Sequence, residues 1–209
     1  MSKPFRVAHL IQYFAIGGLE RMVQLLATES QARGVESLVV AYLGDGPIRQ
    51  ELQARGVRTV LLQGRAGLAP KRCVQLLGVL YRHRVSVLHT HHVGPFIYGA
   101  PAAAALGVRR VHTEHSHELY DRGRRRAVGS MMSRLARVVA VTPEIAGYHQ
   151  RQFGADCAVI RNGVQLCRHD EGRRARARAA LRLAPHEFVI GCVARLAREK
   201  DHATLLNAF

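Results

Sequence analysis

Between residues 5 and 160 the chain alternates short apolar, β-prone runs with segments of helical period, and this alternation restricts the fold more than any other feature. The β-prone runs are residues 5–14, 36–43, 57–62, 85–90, 109–113, 138–141 and 158–160. Helical segments follow from Leu19 and over residues 48–55, 71–84, 95–106, 128–136 and 143–153. Pro70 and Pro143 stand where proline starts a helix, and Gly56 stands where glycine ends one. Strands that each return through a helix run parallel, and their crossovers are right-handed. The pattern therefore predicts an α/β fold built on a doubly wound parallel sheet, with ligands at the carboxyl ends of its strands.

The first strand-to-helix junction, residues 13–27 (YFAIGGLERMVQLLA), carries Gly17 and Gly18. After them Leu19, Met22, Val23, Leu26 and Ala27 recur at helical spacing. A glycine turn at a helix N-terminus aims unpaired N–H groups at whatever lies above it, which makes an anion site. The alternative reading is a tight turn without a ligand. The stretch lacks G-x-G-x-x-G, which disfavours a nicotinamide or flavin cofactor. Other polar stretches at strand ends are H-T-H-H at residues 89–92 and T-E-H at residues 113–115.

With 209 residues, 48% of them hydrophobic, the chain has enough apolar material for a real core. No run reaches transmembrane length, and the N-terminus lacks the charged and apolar regions of a secretory signal. Cys73, Cys157, Cys167 and Cys192 include no C-x-x-C pair, so reduced cysteines in a cytoplasmic protein are expected. The net charge is +16, and only Lys3, Lys71 and Lys200 among the 31 basic residues are lysine. That balance predicts attraction to something acidic: a nucleotide substrate, an anionic membrane face or nucleic acid.

Composition changes near Leu166, where residues 168–183 (RHDEGRRARARAALRL) form a polar linker and helix. Residues 188–194 (FVIGCVA) read as an apolar strand, and residues 201–209 begin a helix. One such unit cannot bury its own apolar face. The expected division is a first domain over 1–166, a linker and helix over 167–184, and an incomplete second domain over 185–209. The simplest expectation is a chain truncated inside its second domain and inactive alone.

Five motifs in order resemble the retaining GT-B glycosyltransferases of family four: I-G-G-L-E-R at 16–21, H-T-H-H at 89–92, T-E-H at 113–115, R-N-G-V at 161–164 and R-L-A-R-E-K at 195–200. The resemblance covers essentially the whole chain. It implies two facing Rossmann-like domains, an acceptor-side amino-terminal one and a donor-binding carboxy-terminal one, here truncated. It also implies metal-independent transfer of a sugar from a nucleotide-sugar donor to a sugar or lipid-linked acceptor, with no cofactor, in glycan, polysaccharide or glycolipid synthesis. No H-E-x-x-H motif or spaced Cys/His cluster is present, in keeping with that.

By the same resemblance, Gly17 and Gly18 lie beside the donor diphosphate and His115 touches the donor sugar near its anomeric centre. Arg195 and Lys200 match the basic pair that clamps the leaving diphosphate, where two fixed cations would stabilise developing phosphate charge. His91, His92 and Glu20 fall on the acceptor side, although adjacent strand residues point to opposite faces, so only one of the two histidines faces the cleft. Asn162-Gly163 is read as a turn at the interdomain crossover. The family's paired glutamates, which contact the donor sugar and ribose, have no counterpart in these residues.

Two basic stretches, residues 71–84 and 122–137, are candidates for an anionic membrane surface; the alternative is a solvated helix face. A nucleic-acid module is disfavoured, because there is no recognition-helix motif and aromatics make up only 6% of the chain. A noncatalytic remnant that binds a partner is the remaining alternative. Salt-dependent DNA binding, liposome binding and size exclusion separate these readings.

Overall fold

The computed structural model describes residues 5–62, 70–116, 124–166 and 170–209. It divides into two compact units, Met1–Val164 and Gln165–Phe209. The expected loop 63–69 and the basic stretch 117–123, with Arg122, lie outside the described residues, as do residues 167–169.

In the first unit the order is β1 (Arg6–Tyr13), α1 (Gly18–Ala32), β2 (Glu36–Gly44), α2 (Pro47–Ala54), β3 (Arg58–Leu61), α3 (Pro70–Arg82) and β4 (Val87–His91). It continues through α4 (Val93–Ala105), β5 (Arg109–Glu114), α5 (Arg124–Leu135), β6 (Arg137–Ala140), α6 (Pro143–Phe153) and β7 (Ala158–Val159). All strands are parallel, in the order β3-β2-β1-β4-β5-β6-β7. The chain winds outward from β1 to β3, then returns to lay β4 on the other side of β1. That reversal opens a crevice between the carboxyl ends of β1 and β4.

Alternation along the strands sends side chains to two apolar layers. Ala8, Leu10, Val40 and Leu88 meet Leu76 and Leu80 of α3 and Ala102 and Ala103 of α4. Ile11, Val39 and Ala41 meet Val23 and Ala27 of α1 and Ile48 and Leu52 of α2. Helix α4 sits close to the sheet at Gly99, where an added Cβ would stand 2.9 Å from both Leu88 Cδ2 and Thr90 Cγ2. Local signals set α6: Thr142 Oγ1 accepts from the Ile145 N–H at 3.3 Å, Pro143 follows it, and Gly154 ends the helix at φ 64.

The second unit holds α7 (Glu171–Ala180), a single 3₁₀ turn (Arg198–Lys200) and α8 (His202–Asn207). Asp170 caps α7 by accepting from the Arg173 N–H at 3.0 Å. The strand expected over residues 188–194 is not formed; the segment is irregular and Phe188 is 89% exposed. Apolar, β-prone residues make a strand only when a neighbour supplies the hydrogen-bond ladder, and no described residue does so here.

Candidate functional site

Gly17 caps α1 in an extended conformation, φ −159 and ψ 166, and its carbonyl accepts from the Arg21 N–H at 3.0 Å. A Cβ on Gly17 would collide with the Glu20 carboxylate, whereas one on Gly18 would meet nothing. That contact is with the movable end of the Glu20 side chain, which folds back over the first turn, so it does not by itself demand glycine at 17. Partial burial pushes the Glu20 carboxyl above its ordinary value, against a hydrogen bond from its own backbone N–H. The helix N-terminus thus already faces a carboxylate, and a diphosphate drawing on the same N–H groups would compete with it.

A row of histidines runs over one face of β1, β4 and the end of β5. His9 of β1 pairs in register with His89 of β4, and His91 follows one strand repeat later. His89 pairs with Val111 and His91 with Thr113 of β5, so His115 continues that face just past the strand end. Ring centroids are 5.2 Å apart for His9 and His89, 4.1 Å for His89 and His91, and 5.7 Å for His91 and His115. His9 Nδ1 lies 3.3 Å from His91 Nε2, and His91 Nδ1 lies 3.4 Å from His115 Nε2. The outer ring, His89, places Nε2 at 2.7 Å from Thr113 Oγ1. Burial pushes His9 and His115 down to about 4, and pushes His89 and His91 well below the ordinary histidine value. All four rings are neutral at pH 7, so the row offers hydrogen bonds rather than charge.

The opposite face of β5 fixes His115. Thr90 Oγ1 stands 2.8 Å from His112 Nδ1, and His112 Nε2 stands 3.3 Å from Glu114 Oε2. Glu114 is fully buried, and its Oε1 accepts from the N–H groups of His115 at 3.1 Å and Ser116 at 3.4 Å. His92 leaves the strand at φ 81 and ψ 155 to cap α4, a backbone conformation otherwise nearly confined to glycine. Its N–H donates to the Thr113 carbonyl at 3.4 Å. His91 and His92 therefore diverge, the first buried in the histidine row and the second at the helix start.

The structure thus gathers His91 and His115 in one group and Gly17, Gly18 and Glu20 in another at the end of β1. Arg195 and Lys200 are exposed in the second unit, where the Arg195 carbonyl accepts from His202 Nε2 at 2.8 Å. His9, His112 and Glu114 were not singled out from the sequence. The H-x-H spacing of His89 and His91 was a visible signal; the register that brings His9 beside them was not. His9, His89 and His91 could hold a metal ion, since one nitrogen from each lies within 4.8 Å of the other two. Beside His89 and Thr113 a cavity of about 310 Å³ opens against Met22, Leu25 and Leu26 of α1, with Asn162 at its rim.

Two parts of the expected basic faces belong to the interior. Arg72 is buried, its guanidinium 5.1 Å from the Tyr42 ring centroid and 5.3 Å from that of Tyr98. Met132 is likewise fully buried, against Val138 and Phe96. Among the described residues no helix is long and apolar enough to cross a membrane.

Residues 16–168 match the family model described as Glycosyltransferase Family 4. The D-inositol 3-phosphate glycosyltransferase of Rhodococcus jostii is 29% identical over 245 aligned residues, covering 99% of this chain and 54% of that protein. Its counterpart in Rhodococcus opacus is 28% identical, covering 99% and 55%. The chain spans about half the length of the curated relatives it matches. Among solved structures, Anabaena Alr3699/HepE in complex with UDP-glucose superposes with a TM-score of 0.81 at 21% identity, over 97% of this chain and 56% of that one. Sucrose-phosphate synthase from Thermosynechococcus elongatus gives 0.73 at 20% identity, over 98% and 59%. The expected Rossmann-like parallel sheet of GT-B type is the fold they share with this chain.

Proposed function

Because the chain belongs to glycosyltransferase family 4, we propose that it supplies the acceptor-side half of an enzyme that moves a sugar from a nucleotide-sugar to an acceptor hydroxyl with retention. The observation that carries this reading is His115. A neutral imidazole stands at the carboxyl end of β5, on a residue whose backbone N–H is held by the buried Glu114 carboxylate, one strand from the point where the sheet's winding reverses. A neutral ring suits the task, since it can hydrogen-bond sugar hydroxyls near the anomeric carbon without adding positive charge to an oxocarbenium-like centre. His91 sets the His115 ring, and His92 faces the acceptor.

The N–H groups at Gly17 and Gly18 take the donor diphosphate once Glu20 swings aside, and Glu20 is then released toward the acceptor. Arg195 and Lys200 balance the charge that collects on the leaving diphosphate, a role that needs no divalent cation. HepE is described with UDP-glucose, which supports a uridine-linked donor, and the Rhodococcus relatives are named for D-inositol 3-phosphate. A phosphate-bearing or lipid-linked acceptor also fits a chain of net charge +16.

The 209 residues cover about half of each relative. Transfer is therefore measured in a polypeptide spanning the relatives' full length, with the product anomer read by NMR. There His115→Ala lowers kcat/KM by about 10²–10³-fold. An inverted product, or an unchanged kcat/KM in that variant, refutes the reading.

A peripheral membrane site on the cytoplasmic side is a second reading, favoured by α3. Val74 and Tyr81 are 70% and 74% exposed there and are flanked by exposed Lys71 and Arg82. Equal binding to anionic and neutral vesicles rules it out.

A further inference from the structure

We propose that His9, His89 and His91 bind one divalent transition-metal ion of the class that prefers imidazole, such as Zn²⁺ or Co²⁺. The site shares His91 with the group that positions His115 and uses none of the diphosphate-binding residues. Parallel register places the three rings on one face of two neighbouring strands, with one nitrogen of each within 4.8 Å of the others. His9 Nδ1 and His91 Nε2 are 3.3 Å apart. That is about the edge of a tetrahedron whose metal–nitrogen bonds are about 2.0–2.1 Å long. Movement of the His89 ring that closes the remaining nitrogen–nitrogen spacing, at most 4.8 Å, to that edge completes three corners.

The surrounding hydrogen bonds orient the rings as outer groups orient metal ligands. His89 Nε2 stands 2.7 Å from Thr113 Oγ1; with its proton on Nε2 and donated there, Nδ1 is left as the lone-pair nitrogen. His91 Nδ1 stands 3.4 Å from His115 Nε2; with its proton on Nδ1 and donated there, the Nε2 lone pair faces His9. His9 is 2% exposed, and with its proton on Nε2 its Nδ1 turns a lone pair toward His91 Nε2. Of the three rings, His89 lines the cavity of about 310 Å³ beside α1. Metal there ties β1 to β4 next to His115, at the crevice where the winding reverses.

Titrating Co²⁺ into the 209-residue chain tests the site, followed by the intense visible absorption of tetrahedral cobalt. The expected result is saturation at one ion per chain, with Zn²⁺ displacing the cobalt. His9→Gln and His89→Gln each abolish saturation, and Thr113→Val weakens it about 10-fold or more. Exposed Cys192 and His202, whose Sγ and Nδ1 lie 3.9 Å apart, are the competing surface pair. The variant Cys192→Ser/His202→Gln therefore keeps full binding. X-ray absorption of the wild-type zinc complex reads three imidazole ligands and needs no variant. No saturable binding, fewer than three imidazoles, or loss of binding in the Cys192→Ser/His202→Gln variant overturns the proposal.

Discussion

Acid should unfold this protein through its histidine row, and His9 allows the size of the effect to be worked out. Its ring is completely buried, and burial pushes it from 6.5 down to about 4. As pH falls below 6.5 the unfolded chain takes up a proton at this residue while the native chain does not, so the equilibrium moves toward unfolding. Stability attached to His9 is fully present above pH 6.5, is lost progressively below it, and is gone near pH 4. A difference of about 2.5 pH units corresponds to about 3 kcal/mol, a large part of a domain's net stability. His89, His91 and His115 are depressed in the same direction and steepen the fall.

The assay is urea unfolding followed by circular dichroism at pH 7, 6 and 5, with chelator present. In His9→Gln, the slope of unfolding free energy against pH should be shallower than wild type by up to one proton, about 1.4 kcal/mol per pH unit. Exposed carboxylates held low by hydrogen bonds or ion pairs, such as Glu36 with Arg6 and Glu51 with Arg21, are common to both proteins and cancel. Parallel curves for the two proteins would refute the assignment of His9 as a buried neutral ring.

Other substitutions probe the packing that positions the site. Thr113→Val removes the oxygen facing His89 Nε2 and should cost about 1–3 kcal/mol at pH 7.5 by the same urea assay, with no loss meaning that this contact is not made. Gly99→Val drives a side chain into Leu88 and Thr90 and should cost about 1–3 kcal/mol or more; full stability would mean α4 does not lie this close to β4. Leu52→Ala empties a fully buried position between α2 and the sheet and should cost about 2–5 kcal/mol, while a cost under 1 kcal/mol would place Leu52 outside the core.

Most of the fold was legible because its determinants are local. Apolar runs, helical periods, Pro143 with its Thr142 cap and Gly154 define elements within a few residues of themselves, and strands joined by helices leave a parallel sheet as the outcome. Residues 188–194 failed the same test, since a strand also needs a partner that local sequence does not supply. The site divides along the same line. His91, His115 and the double glycine stood out by motif and position at strand ends. His9 joins His89 and His91 only because β1 and β4, some eighty residues apart, align in one register. Glu114 read as the middle of a motif until the sheet buried it beneath the His115 backbone. Arg72 looked like surface charge until Tyr42 and Tyr98 closed around it. Periodicity decides which elements form, and only packing between distant strands decides which polar groups lose water and so acquire shifted protonation, fixed partners and chemistry.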